Sequence, residues 1–256
     1  MRTMIAFIKK ELLEQVRTGK IMIMGILFIL FGIMNPAIAL LTPWILETFA
    51  ESMQSSGLIV TATTVTALDS WMQFYKNVPM LLIAFILFES NIFTKEYETG
   101  TLVLSLTKGL RRYKVVASKS IIIITLWTIG YWLCFGITYG YNAYYWDNSI
   151  ANNLTFSVIC WWLFGLWVIS LMILFSVIAN SNVGVLVGTG GVVLVAYLIS
   201  IVPKLGEYLP TMLASSGSLL TGTLDVKEYI ASIIVALVTG LVCMMISIPV
   251  FNKKKL

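Results

Sequence analysis

The sequence predicts an all-α polytopic membrane protein with six transmembrane helices. Two observations carry this reading. Of 256 residues, 59% are hydrophobic and 11% charged, with a mean hydropathy of +0.91; water-soluble chains carry about a quarter charged residues. The charges also gather beside long apolar runs instead of spreading along the chain. One transmembrane domain over residues 1–256 is expected.

The first element, residues 3–18 (TMIAFIKKELLEQVRT), reads as an amphipathic elbow helix. Ile5, Ile8, Leu12, Leu13 and Val16 recur at helical spacing, and Lys9, Lys10, Glu11, Glu14 and Arg17 cover the remainder. Such a helix lies along the inner membrane face with its bases near anionic headgroups. It serves either as a surface anchor or as a contact for a cytoplasmic partner. The spans are expected at about 21–41, 78–93, 120–141, 156–179, 183–202 and 231–251. Pro36 is expected to kink the first. No charged residue occurs over the 56 positions from Asn148 to Pro203, more than twice the roughly 20 that one helix needs. The polar break Asn180-Ser181-Asn182 divides that stretch in two. Within these runs helix is required, because lipid satisfies no backbone polar group.

The first span carries Ala37-Ile38-Ala39, which resembles a signal-peptide cleavage site. Its long leader containing Glu11 and Glu14, and the length of its apolar run, favour an uncleaved span. The 36 residues Thr42–Asn77 are too polar to span, although Leu58, Ile59, Val60 and Val65 could pack on the outer rim. Pro203–Lys227 is different: short apolar pieces broken by Pro and Gly can re-enter the membrane where protein shields them, or form a surface loop.

Lys and Arg give the orientation. Five precede the first span, six lie between the second and third, and three end the chain, against Lys76, Lys204 and Lys227 on the opposite side. The positive-inside rule places both termini in the cytoplasm of a cell membrane. The aromatic run Tyr139–Trp146 then marks the outer interface. Lys9, Lys10, Arg111, Arg112 and Lys114 read as bases at the membrane surface. Because the net charge of +5 resides in such clusters, nucleic acid is not an expected partner.

The chain has no histidine, which excludes His-ligated zinc and Ser-His-Asp chemistry. Cys134, Cys160 and Cys243 lie in apolar runs without metal-like spacing and read as inert buried thiols. No acidic residue falls in the middle of a span; Glu89 comes closest, a turn from the cytoplasmic end where it can reach headgroup water. Ion-coupled carriers and aspartyl membrane proteases place such groups at depth. No GxxxxGK[ST] loop is present. Gly184 and Gly188 in GVLVGTGG instead make a GxxxG step suited to close helix packing, within the subunit or across a dimer. The chain is not expected to be an enzyme, and any energy source lies on another chain.

The entry point for that energy is sought in KEYETGTLVLSLTKGLRRYKVVASK, residues 95–119. This stretch resembles the signature of type-2 ABC exporter permeases at Glu96, Glu98, Gly100, Thr101, Leu102, Arg111 and Lys119. Where the family often has a proline and a serine before the arginine, this chain has Lys108-Gly109-Leu110. The order of elements is also similar over the whole chain.

The resemblance implies a cytoplasmic coupling helix over Glu96–Thr107, with Glu96, Tyr97, Glu98, Thr99, Gly100, Thr101, Leu102 and Leu104 seated in a separately encoded ABC ATPase. It also implies two ATPase copies that hold ATP and Mg, and a second permease chain, identical or not. No cofactor is expected on this chain itself. By the same resemblance, the Asn180–Asn182 turn is a second cytoplasmic contact and Pro203–Lys227 a re-entrant outer segment. Spans one, two and five would line the path. Their apolar character suggests a hydrophobic or amphipathic cargo: a peptide, drug or lipid-like molecule. An ion-coupled secondary carrier would show internal repeats, and none is convincing; a non-transporting sensor or immunity subunit remains a distinct alternative.

Overall fold

In the computed structural model, residues 2–53, 64–107 and 111–254 are described. The chain order is α1 (Arg2–Arg17), α2 (Lys20–Met53), α3 (Ala67–Glu89), α4 (Thr94–Glu98), α5 (Thr101–Thr107), α6 (Arg112–Tyr145), α7 (Leu154–Ile178), α8 (Asn182–Ser200), α9 (Pro203–Gly206) and α10 (Tyr229–Lys253). Short 3-10 turns at Asn148–Ile150, Pro210–Leu219 and Val226–Glu228 complete it. The described residues contain no strand. Six helices among them are long and apolar enough to cross a membrane: α2, α3, α6, α7, α8 and α10.

Span positions follow the sequence reading, but most boundaries extend beyond it. The second span begins at Ala67 rather than residue 78, and Thr66 and Asp69 form a capping box at its start. Such a box satisfies the amide groups that a helix leaves open at its N-terminus. The three turns missed in the sequence carry Asp69 and Lys76, yet they bury Trp71, Phe74 and Tyr75 on one side. A search for charge-free runs misses this kind of amphipathic extension. The helix of the first span likewise continues through Pro36 and Pro43 to Met53, its span-like part covering Lys20–Ile45. Leu58, Ile59 and Val60 of the outer connection lie outside the described residues.

The helix α7 is the central pillar, in contact with α6, α8, α10 and the 3-10 segment Pro210–Leu219. Beside it, an aromatic stack joins spans one to three. The fully buried Trp127 lies 6.0 Å from Phe28, 5.4 Å from Phe85 and 5.5 Å from Tyr131, centroid to centroid. Gly165 lets α7 approach this stack, because a methyl group there would overlap the Trp127 ring. Gly188 does the same on α8 against Phe175 of α7. The close packing expected of Gly188 is therefore made within the subunit. Gly184 faces the preceding turn, near Ala179 and Ser181.

Several buried polar groups find partners across helices, which lipid would not supply. Asn77 donates to Asn35, Asn35 donates to Thr138, and Thr138 donates to the carbonyl of Gly32. Pro210–Leu219 folds back on the bundle, where Ser157 and Ser216 exchange hydroxyl-to-carbonyl hydrogen bonds. Trp161 Nε1 donates to the carbonyl of Ala214 at 2.9 Å, and Ser232 donates to the carbonyls of Glu207 and Leu209.

The close approach at Gly165 is testable. Gly165→Ala should destabilise the bundle by about 1–3 kcal/mol through overpacking. It should also shift the tryptophan emission as Trp127 is displaced. Thermal unfolding in detergent with fluorescence readout measures both.

Candidate functional site

At the end of the bundle that carries Arg2 and Lys254, three carboxylates and three lysines interlock, with Glu89 and Lys20 beside them. The helix α1 reaches this site in an orientation opposite to that of a surface helix. Its buried face is Phe7, Glu11 and Gln15, spaced by four residues, whereas Ile5, Leu12, Leu13 and Val16 are exposed. The apolar stripe is thus exposed and the polar stripe points into the protein. Of the charged residues on this helix, Lys9 and Arg17 are exposed, whereas Glu11 is buried. The bundle offers Glu11 a better partner than water does.

That partner is Lys119, which is 1% exposed. Its ammonium donates to Glu11 Oε2 at 2.7 Å and to the carbonyl of Ile92 at 2.9 Å. It also pairs with Glu96 Oε2 at 3.1 Å, short of hydrogen-bond geometry. The rings of Phe7 and Phe93 lie 5.8 and 5.4 Å from it. Lys10 closes the group at 2.8 Å from Glu11, 2.7 Å from Glu96 and 3.4 Å from Glu14. Glu14 in turn accepts from Lys95 at 3.1 Å. Beside them, Gln15 donates to Glu89 at 2.7 Å, and Lys20 donates to the carbonyl of Phe88 and to Asn91 Oδ1. Glu89 is 1% exposed, so the expectation that it reaches headgroup water is corrected. It turns inward because Gln15 supplies the hydrogen bond that water would otherwise make.

The carboxylates of Glu11, Glu14 and Glu96 are close enough together to suggest a cation site. The Lys10 ammonium already stands among all three, so the cluster carries its own cation. Partial burial acts to lower the Lys10 pKa, but Glu11 and Glu96 outweigh it and hold the pKa above the ordinary lysine range. For Glu14, burial acts upward and is outweighed by Lys95 and Lys10, which hold it below the usual carboxylate range. The Glu14 contribution is therefore present above the unfolded carboxylate pKa and lost as pH falls through the depressed value. The Lys10 contribution is complete below the ordinary lysine pKa and lost as pH rises through the elevated one. Both hold at neutral pH.

From this ionic base projects the segment expected as one coupling helix over Glu96–Thr107. It consists of two short helices, α4 and α5, joined at Thr99–Gly100. Gly100 has φ +66, a left-handed conformation that costs other residues about 1–2 kcal/mol. Of the residues expected to meet a partner, Glu98, Thr99, Gly100 and Thr101 are exposed, and Thr99 and Thr101 share a hydroxyl contact at 2.9 Å. Glu96 and Leu102 are instead buried, at 4% and 1% exposure. Lys10 and Lys119 hold Glu96, and Leu102 lies in the apolar core. Tyr97 is half-buried, with its hydroxyl 3.4 Å from the carbonyl of Ser176. The side chain of Leu104 and the turn Lys108-Gly109-Leu110 lie outside the described residues.

Among the remaining bases, Arg111 is exposed, whereas Lys114 donates to Thr3 and Arg112 to three carbonyls at the end of α10. The sequence contained Lys119, Glu96 and Glu11 but no sign that they meet. A polar stripe repeating every four residues beside Phe7 was the available signal.

A second feature lies within the span region. An apolar cleft of about 350 Å³ opens between α3, α7 and α8, lined by Leu82, Ile86, Phe164, Thr189, Gly190 and Val193 among others. Thr189 donates to the carbonyl of Val185, so its hydroxyl is already engaged. The cleft presents hydrocarbon.

Removing the central charge tests the ionic base. Lys119→Met leaves Glu11 and Glu96 buried without their partner and should cost about 3–5 kcal/mol. Adding Glu96→Gln to that variant should restore part of the loss. Thermal unfolding of the purified chain measures both.

Over residues 5–216 the sequence matches the family described as ABC-2 family transporter protein. No characterised protein and no solved structure matches the chain.

Proposed function

This chain belongs to the ABC-2 transporter family, and from that membership we propose that it is the membrane subunit of an ATP-driven exporter for a hydrophobic or amphipathic cargo. Two copies of a separate ABC ATPase would supply ATP and Mg, and a second permease chain, identical or not, would complete the path. The observation that carries this reading is the exposed turn Glu98–Thr101 mounted on a buried ionic base. A soft loop would absorb a push. Here the turn is tied through Glu96 to Lys119 on α6 and to Lys10 on α1, so a displacement passes into the spans as rigid-body motion.

On this reading the end that carries the termini is cytoplasmic, as the Lys and Arg count also argues. The helix α1 acts as an elbow with its apolar stripe in lipid. Pro203–Lys227 forms an outer re-entrant segment whose backbone carbonyls are met by Ser157, Trp161 and Ser232. The apolar cleft is one wall of the path. It draws on spans two, four and five; span one, assigned to the path by resemblance, contributes none of its described lining. An uncharged apolar portion of the cargo, such as the side chains of a peptide, suits a surface of this kind.

Two experiments follow. The tagged permease in nanodiscs should co-purify an ABC ATPase whose hydrolysis is stimulated by amphipathic peptides. Glu98→Ala and Gly100→Ala should reduce that stimulation severalfold without impairing membrane insertion. Recovery of the chain alone under every condition would sink the proposal. Gly190 faces the cleft with open space around it, so Gly190→Phe should fill the cleft and lower peptide export while ATPase recruitment persists. Unchanged export would remove the cleft from the path.

A further inference from the structure

The chain's C-terminal end meets α4 and the end of α7, which lead into the Glu98–Thr101 turn of the proposed function and the Asn180–Asn182 turn that the family resemblance assigns to the ATPase. Lys254, just past α10, donates through its ammonium to the carbonyls of Val177 and Ala179, each at 2.8 Å. These belong to the last turn of α7, where helix geometry leaves carbonyls without intrahelical partners, and Ala179 immediately precedes the Asn180–Asn182 turn. The same ammonium stands 4.0 Å from the ring centroid of Tyr97 in α4, a cation–π distance. Tyr97 Oη reaches Ser176 on α7 as well.

The tail that presents Lys254 is itself held in place. Arg112 Nη1 donates to the carbonyls of Phe251, Asn252 and Lys254 at 2.9, 3.2 and 2.6 Å. The fully buried Phe251 packs edge-on against Phe93, the residue before α4, at 6.1 Å. One cation, fixed by the first residue of α6, thus touches the end of α7 and the ring of α4 together.

We propose that Lys254 is a positioning residue that clasps the α4–Gly100 turn to the Asn180–Asn182 turn, so that both partner-facing loops move as one body. The proposal rests on the reading that these loops meet an ATPase. Its first test does not.

In a variant with Cys134, Cys160 and Cys243 replaced by alanine, spin labels at Glu98→Cys and Asn180→Cys report the distance between the loops in the permease alone. The unmodified clasp should give a narrow distribution. Lys254→Met should broaden it to about twice the width as the two elements fluctuate separately, and Lys254→Arg should restore it. An unchanged width in Lys254→Met overturns the clasp. If the cysteine-free chain does not fold, hydrogen exchange at residues 176–183 of Lys254→Met in the native-cysteine background decides instead: faster exchange supports the clasp and unchanged exchange overturns it.

With the ATPase bound, Lys254→Met should retain the partner but lose peptide-stimulated hydrolysis about fivefold or more, with rescue by Lys254→Arg. Full stimulation alongside a broadened distribution overturns the positioning role. Failure of the wild-type chain to bind any ATPase would defeat the functional reading, while the distance measurement still decides the clasp.

Discussion

A single buried positive charge organises the end of this protein that carries the termini. Lys119 is almost wholly shielded from solvent, and a charge in that position costs several kcal/mol unless it is paired. Neutralising it draws in Glu11 from α1, the carbonyl of Ile92 and Glu96 from α4. Those carboxylates are buried too and need more than half a partner each, so Lys10 is drawn among them. Lys10 brings Glu14, and Glu14 takes Lys95. The position of α1, the inward turn of Glu96 and the exposure of the neighbouring Glu98–Thr101 tip all follow from that one demand.

The rest of the bundle applies the same rule to weaker groups. Asn35, Asn77 and Thr138 satisfy one another across three spans, and Ser157 and Ser216 do so where the outer segment folds back. Arg112 and Lys254 cover the open carbonyls at the ends of α10 and α7. Where no polar group needs a partner, between α3, α7 and α8, the surface remains hydrocarbon and a cleft is left open. The ionic pairing is thus concentrated at one end of the molecule, and the open apolar surface lies within the spans.

Much of this was legible in the residues. The six spans appear as apolar runs because each helix must be hydrophobic along its own length, whatever its neighbours. Three features were not legible. The first turns of α3 carry Asp69 and Lys76 on one side and aromatic residues on the other, so a count of charges hid them. In α1 the same residues that mark an amphipathic helix leave open which stripe faces the protein. Lys254 looked like one of three interchangeable terminal lysines, because nothing local distinguishes it from Lys253.

By itself, then, the sequence determined the membrane class, the number and order of the spans, and the clustering of charge between them. These depend on transfer of each segment from water to lipid, a sum over neighbouring residues. Only the tertiary structure decided that Glu11 meets Lys119 across 108 positions, that Glu96 is buried while Glu98 is exposed, and that Lys254 meets both the end of α7 and the ring of Tyr97. Such pairings depend on which helix faces pack together, and packing is a long-range property that no local pattern of hydropathy contains.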